Sequence, residues 1–436
     1  MIALCLAMLQ VCAGLSSYDT RVHSLGRSPK PFTHPGALHS AEDLIRVRQH
    51  VQNHDEPWYT AFQHLEASTL AQLSWVAKPH NLLIRGTNAT YTVTNTYTDA
   101  YRDTHSAYQL TLRWLLTGNT SYADHAVSII DSWSSVLTGI TGTEDLYLAA
   151  GLYGYQFANV GELLRVYSGW AAENRTAFVN MLANIFAPYN HDFLEHHNNK
   201  QDFYYANWDL CNIASLMAIG IFTDNHTMYD YAVDYFRNGL PNDIVANGAL
   251  PFFSIANFTE ENSGKTLMEI QESGRDQGHA LLCMALLGVI GQQGYNQDVD
   301  LYGQFGHEIL NAAEYVAKYN TGHDVPYTAY ESWEGNLTVI SAKSRYDVRP
   351  GYEALVSYYS ELKGMNASWS EAFRDYVNAN MTLNIEGGGG DYGPNSGGFD
   401  TFGINIVLLR QSVIYSSQYK NNLDRYVKAS ETANGL

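Results

Sequence analysis

The sequence predicts an all-α protein of paired antiparallel helices, and three observations carry that expectation. Apolar residues recur at helical spacing through most of the 436 residues. The connections between these runs are short and often polar or glycine-bearing. Alternating, strand-like stretches are scarce. Helices paired through short loops can close into a toroid whose inner ring lines a cleft. No linker divides the chain, so residues 18–436 are expected to form a single domain.

The chain opens on "MIALCLAMLQVCAG", an apolar run of about a dozen residues, the size of a secretion-signal core and too short to span a bilayer. Residues 1–17 are therefore expected to be a secretion signal. No basic residue precedes the apolar core, and a truncated or mis-started N-terminus is the alternative. After "SPKPFTHPG", Ser40 reads as the N-cap of "AEDLIRVRQHV", where Leu44, Val47 and Val51 share a face. "NATYTVTNTYTDAY" is Thr/Tyr-rich and reads as a short hairpin or an aromatic loop. "HSAYQLTLRWLLTGN" places Tyr108, Leu112, Leu115 and Leu116 on one side. "SYADHAVSIIDSWSSVL" repeats the scheme with Tyr122, Ala126, Ile129, Ile130 and Trp133. Further helical runs are "GELLRVY", "RTAFVNMLANIFAPY", "NIASLMAIGIF", "MYDYAVDYFRNGL", "HALLCMALLGVIG", "GHEILNAAEYVAKY" and "GYEALVSYYSELKG". The glycine-rich "EGGGGDYGPNSGGFDTFG" lacks the lysine and following helix of a phosphate-binding loop and reads as a loop beside the cleft.

Charge narrows the partners. With 44 acidic against 25 basic residues the net charge is -19, which argues against a surface that tracks nucleic-acid phosphates. An acidic substrate stays open, because a few cations converging in a cleft create a field that the total does not report. No other apolar run is long enough to cross a membrane. Glycosylation acceptors at Asn88, Asn119, Asn174, Asn225, Asn257, Asn336, Asn366 and Asn380 suit a secreted glycoprotein. Cys5 and Cys12 would leave with the signal. Cys211 and Cys283 remain, either as two buried thiols or as one disulfide.

Three polar clusters interrupt the helices with residues that are costly to bury unpaired: "YYANWDLCN", "QESGRDQGH" and "SAKSRYDVRPGYE". In the second, Arg275 and His279 are four apart and would share a helix face, with Glu272 one turn earlier able to hold Arg275. Each cluster has a purely architectural reading. Glu272, Arg275 and Asp276 could form a capping and ion-pair network around a core His279. Asn207 could cap a helix. Arg349 could fix the loop before Pro350, and Tyr352 could be a core aromatic with a satisfied hydroxyl.

Together the clusters supply an amide, an imidazole, guanidiniums and a phenol, with no obvious pair of catalytic carboxylates. That set fits β-elimination from a polyuronate. The C5 proton is weakly acidic until donors or cations neutralise the adjacent carboxylate and stabilise the developing enolate. A His or Tyr can then remove the proton, and a Tyr can protonate the departing O4. Two other enzymatic readings are weaker. "HDFLEHHNN" gathers His191, Glu195, His196 and His197 without the HExxH arrangement of a zinc site. An inverting hydrolase would need two carboxylates about 6.5–9.5 Å apart, with Glu272 and Asp391 as candidates. A non-catalytic extracellular carbohydrate-binding protein is the third alternative.

The chain also resembles the alginate-lyase superfamily of helical toroid enzymes, most closely polysaccharide lyase family 38. The resemblance rests on "TGN-x-x-YAD-x-A", "GYQFAN-x-x-ELLR", "NWDLCNIASLMAIGIF", "ESGRDQGHALLCMALL" and "RPGYEALVSYY", and it covers most of the chain. It implies an (α/α) barrel and metal-independent elimination on β-1,4-linked uronates, alginate ahead of glucuronan, with no cofactor. Carried over by motif, Asn207 would neutralise the carboxylate and His279 would act as base or second neutraliser. Arg345 would bind carboxylate, and Tyr352 would be the acid and also a candidate base. Trp208, Glu272, Arg275, Arg349, Tyr346 and Tyr359 would bind substrate or support these groups. Tyr358 also lies nearby, and "SYY" stands where relatives tend to carry a "YNHY"-like run. The resulting expectation is a secreted monomer that takes an acidic polysaccharide and neither nucleic acid nor membrane as partner.

Overall fold

The computed structural model describes residues 30–87, 94–200, 206–240, 250–380 and 399–402. The expected signal at 1–17, Cys5 and Cys12, Asn88 and Asp391 lie outside the described residues, as does most of the glycine-rich segment. The architecture below belongs to the compact unit Phe32–Leu436.

A first hairpin, α1 (Ala41–Asn53) and α2 (Trp58–Ala67), packs against the long helix α3 (Tyr97–Thr117). Ser40 caps α1 as its sequence implies. Its hydroxyl accepts from the Asp43 amide while the Asp43 carboxylate reaches back to the Ser40 amide, a reciprocal box that satisfies two orphan donors. Inner and outer helices then alternate. The inner set is α3, α5 (Asp145–Leu164), α8 (Ala206–Phe222), α10 (Gln277–Tyr295) and α12 (Tyr352–Val356). The outer set is α4 (Thr120–Val136), the pair α6 (Ala172–Met181) and α7 (Ala187–His196), α9 (His226–Asn238), α11 (Glu308–Asn320) and α13 (Ser368–Asn380). A π-helical turn, Leu182–Phe186, joins α6 to α7, and another, Ser357–Leu362, extends α12.

Burial distinguishes the two sets. From Leu148 onward every residue of α5 is buried, and α8 is buried throughout except at Trp208, because these helices meet neighbours on all sides. The outer helices are amphipathic: α4 buries Ala123, Ala126, Ile129, Ile130 and Trp133 and leaves its other face wet. Inner neighbours pack in the order α3, α5, α8, α10, α12, giving the (α/α) toroid that the helical pattern predicts. Close approach needs glycine here. A Cβ on Gly151 of α5 would fall 2.4 Å from Cys211 Sγ of α8.

Alternation makes the inner helices run parallel, so their N-termini share one end. That end carries the long connections, 239–276 and 321–351. The opposite end is joined by short ones such as Gly118–Asn119, where glycine supplies the left-handed C-cap. The strands that sequence reading missed lie in the segments that lead into the inner helices at this end. β1 (Leu82–Arg85) pairs in parallel with β2 (Gly139–Gly142). β3 (Ser254–Thr259) pairs antiparallel with β4 (Thr266–Ile270), and β5 (Tyr330–Ser332) with β6 (Gly335–Leu337). The Thr/Tyr-rich stretch becomes helical from Tyr97, as the start of α3. No helix among the described residues is long and apolar enough to cross a membrane.

Candidate active site

The elaborated end gathers the polar clusters, beginning at the mouth of α10. After β4 the chain turns through Gln271–Asp276, with the amides of Arg275 and Asp276 both donating to the Glu272 carbonyl at 3.1 Å. Asp276 is extended and its carboxylate accepts the His279 amide at 3.1 Å, so α10 begins only at Gln277. Arg275 therefore stands in the turn, and the helix face that spacing suggested for Arg275 and His279 does not form. Glu272 does hold Arg275, Oε2 to Nη1 at 3.2 Å, while Arg275 Nε lies 3.4 Å from Glu334 Oε1 on the β5–β6 turn. Burial raises the Glu272 pKa, opposed by the charges of Arg275 and His279.

The second and third clusters meet edge to edge. Ser341 donates its amide to the Ser273 carbonyl at 3.0 Å, and Gln277 donates to the Lys343 carbonyl at 2.9 Å. Asp276 thereby faces an imidazole and an ammonium: His279 Nδ1 is 3.2 Å from Oδ1, and Lys343 Nζ is 2.9 Å from Oδ2. Burial would raise the Asp276 pKa, but these partners hold it well below the ordinary carboxylate range. Arg349 reinforces the same turn, donating to the Gly278 carbonyl at 2.7 Å and to Asp400 Oδ2 at 2.6 Å.

The first cluster joins through α8, the inner neighbour of α10. Asn207 is the second residue of α8 rather than its cap. It is buried, and its Oδ1 has no hydrogen-bond partner. A buried amide oxygen left unpaired costs about 1–3 kcal/mol, and a ligand donor at this helix mouth would recover part of it. Half a turn of the amide exchanges Oδ1 for the Nδ2 donor. One helical turn further in, Cys211 follows Asn207 and Cys283 follows His279. Both thiols are free and buried, burial raises both pKa values, and Cys283 senses the charge of Cys211 across the helix pair. Buried Asn207 and partly exposed His279 thus stand in the first turns of two packed inner helices.

Most of the remaining expected site residues are engaged by protein neighbours away from Asn207 and His279. Arg345 donates to the carbonyls of Tyr319 and His323 at 2.9 and 3.3 Å and stacks 3.8 Å from the Tyr319 ring, capping the end of α11. Tyr352 faces outward: its hydroxyl donates to the Ala313 carbonyl of α11 at 3.2 Å and its ring lies against Phe373. Tyr358 donates to Asp300 and Tyr359 to the Tyr302 carbonyl, both in the connection at the opposite end of the toroid. Tyr346 is exposed, with its carbonyl accepting from Tyr376. Trp208 packs on Phe193 of α7. The histidine-rich segment disperses, with His191 on Tyr231 and His197 held by buried Asp209 at 2.7 Å.

Sequence reasoning overlooked three groups here: Lys343, Arg85 and Asp400. Lys343 lies inside a quoted cluster, whereas Asp276 caps α10 as its capping reading implied. Arg85 ends the apolar strand "LLIR" and donates to the Tyr153 hydroxyl at 2.8 Å, with Tyr97 5.0 Å from its guanidinium. Asp400 anchors a segment whose Phe399 and Phe402 stack on Tyr101 and Tyr108 of α3. Phe399 and Asp400 also accept at their carbonyls from Gln156 and Tyr155 of α5.

The comparisons with known proteins agree with this architecture. Alginate lyase A1-III from Sphingomonas species A1 superposes with a TM-score of 0.52 at 13% identity, over 89% of this chain and 100% of that one. A tyrosine-to-phenylalanine variant of alginate lyase A1-III, complexed with tetrasaccharide, gives 0.54 at 13% identity, over 88% and 97%. An alginate lyase from Bacteroides ovatus gives 0.52 at 11% identity, over 81% and 97%. At these identities the likeness establishes the fold. No curated protein sequence matches. The sequence model of the alginate lyase family matches residues 83–325, more than half of the 436 residues, and the chain belongs to that family of polysaccharide lyases.

Proposed function

We propose that the protein is a secreted, monomeric, single-domain lyase that cleaves β-1,4-linked polyuronate, alginate ahead of glucuronan, by β-elimination. Asn207 donates to the C6 carboxylate of the uronate and stabilises the enolate that forms as the C5 proton leaves. His279 takes that proton on Nε2. The C4–O4 bond then breaks as the C4–C5 double bond forms, and the protonated His279 returns its proton to O4. The products are a new reducing end and a 4,5-unsaturated uronate. The observation that carries this reading is the placement of Asn207 and His279 in the first turns of adjoining inner helices, with the Asn207 amide oxygen buried and unpartnered.

The family and the oligosaccharide complex of a structural relative support an acidic polysaccharide as substrate. Among the described residues, the long inner helices α3, α5, α8 and α10 aim their positive N-terminal ends at the same mouth, which favours an anion there. Glu272 is a poor hydrolytic acid or base, because it is fully buried and ion-paired with Arg275. The test is incubation with alginate, glucuronan and a neutral glucan, following ultraviolet absorbance of the conjugated product alongside reducing ends. Both signals rising together on a polyuronate support elimination. Reducing ends without absorbance would mean hydrolysis, and binding without either would mean a carbohydrate-binding protein.

A further inference from the structure

The carboxylate of Asp276 is shared. Oδ1 accepts the His279 amide at 3.1 Å and lies 3.2 Å from His279 Nδ1, whereas Oδ2 meets Lys343 Nζ at 2.9 Å. Exposure of the three side chains differs sharply: 6% for Asp276, 35% for His279 and 73% for Lys343. Asp276 is fixed by its capping role. Lys343 is a long, flexible cation on the rim, resting on a partner that also serves the imidazole.

Resting on the reading of His279 as the base, we propose that Lys343 binds a uronate carboxylate and that substrate draws it off Asp276, leaving Asp276 to orient His279. Asp276 is then a positioning residue. His279 Nδ1 is buried 3.2 Å from Oδ1 without a hydrogen bond while Lys343 rests on Asp276; with Lys343 gone, Oδ1 accepts Nδ1–H and fixes the tautomer that directs the Nε2 lone pair into the cleft. In the free enzyme the Lys343 cation offsets the Asp276 charge. Once Lys343 turns to the substrate, the full carboxylate acts on His279 and makes it a stronger base only when a sugar is in place.

The other charges around His279 stay where they are. Glu272 and Arg275 are paired with each other in the preceding turn, and Arg349 is held by the Gly278 carbonyl and Asp400. Lys343 is the partner free to move, since its side chain stands largely in solvent. Exposure also makes its replacement safe for folding, while the backbone bonds that pin residues 341–343 to the α10 turn do not depend on the side chain.

The experiment combines pH profiles with binding. Lys343→Met should raise KM about tenfold, the scale of one charge-assisted hydrogen bond, with Lys343→Arg restoring most of it. In Lys343→Met the acid limb of kcat/KM, which reports the free enzyme, should move to higher pH, while the acid limb of kcat stays where it is in the wild type. Asp276→Asn should move both limbs to lower pH and reduce kcat. A mannuronate oligosaccharide should bind the His279→Ala protein about tenfold more weakly when Lys343→Met is added. Unchanged KM and oligosaccharide affinity in Lys343→Met, or limbs that shift together, would overturn the inference. A wild-type protein that binds the oligosaccharide through Lys343 but forms no unsaturated ends would overturn the lyase reading and leave the carboxylate site standing.

Discussion

Arg349 links the two halves of the site: one arm of its guanidinium donates to the Gly278 carbonyl in the first turn of α10, and the other lies 2.6 Å from Asp400 Oδ2. Both side chains are largely withdrawn from solvent. Removing one member leaves a buried charge without its partner, at a cost of about 3–5 kcal/mol. Arg349→Met should therefore unfold at distinctly lower denaturant concentration than wild type. Asp400→Asn, which keeps an acceptor, should lose less. Equal stability of Arg349→Met and wild type would remove this ion pair from the architecture.

Asn207 and His279 should fail differently. Replacing Asn207 by Ala removes a donor to the developing enolate and should lower kcat by about 100- to 1,000-fold. Replacing His279 by Ala removes the proton carrier and should lower kcat by about 100- to 10,000-fold. Neither should lower stability by much. The Asn207 oxygen has no partner to lose, so Asn207→Ala should be neutral or slightly stabilising in thermal melts.

The direction of Tyr352 changes what its variant should do. The family resemblance makes it an acid, but its hydroxyl serves the Ala313 carbonyl in the packing between α11 and α13. Tyr352→Phe should keep kcat near wild type and cost about 1 kcal/mol of stability. Loss of turnover by orders of magnitude in a folded Tyr352→Phe protein would return it to the mechanism. With His279 as both base and acid, C5–H and O4 must lie on the same face of the sugar, so polymannuronate should be cleaved faster than polyguluronate.

Much of this was legible beforehand, and the misses have a common physical cause. Helical periodicity located most of the helices, and Ser40 and Gly118 mark their ends by local chemistry that a sequence displays. The second and third clusters could be recognised as polar islands, and Glu272 could be paired with Arg275 from spacing alone. Which way a side chain turns is set by neighbours distant in sequence. Tyr352 finds Ala313 and Phe373, and Arg345 finds the end of α11, through contacts that no spacing encodes. The hairpins at 254–270 and 330–337 escaped because β5 and β6 are three residues each and β4 is buried on both faces from Leu267 to Ile270, so neither shows an alternating pattern.

Glu269 offers a pH test of the same region. It is buried on β4, with the Thr328 amide on Oε2 and nothing on Oε1. Burial raises its pKa from 4.5 to about 7, partly countered by the Thr328 amide. A raised carboxylate binds its proton more tightly when folded, so its penalty is absent below pH 4.5, grows as pH rises towards about 7, and is constant above that. Glu269→Gln should therefore be more stable than wild type at pH 8, by about 1–3 kcal/mol, with the gain vanishing at acidic pH. A gain independent of pH would contradict the assignment.

The central claim, proton abstraction by His279 on a uronate held by Asn207, is tested most directly by comparing wild type with folded His279→Ala on polymannuronate, following unsaturated ends by absorbance. The account predicts steady formation of unsaturated ends by wild type and almost none by the variant. Comparable rates from the two proteins would contradict it.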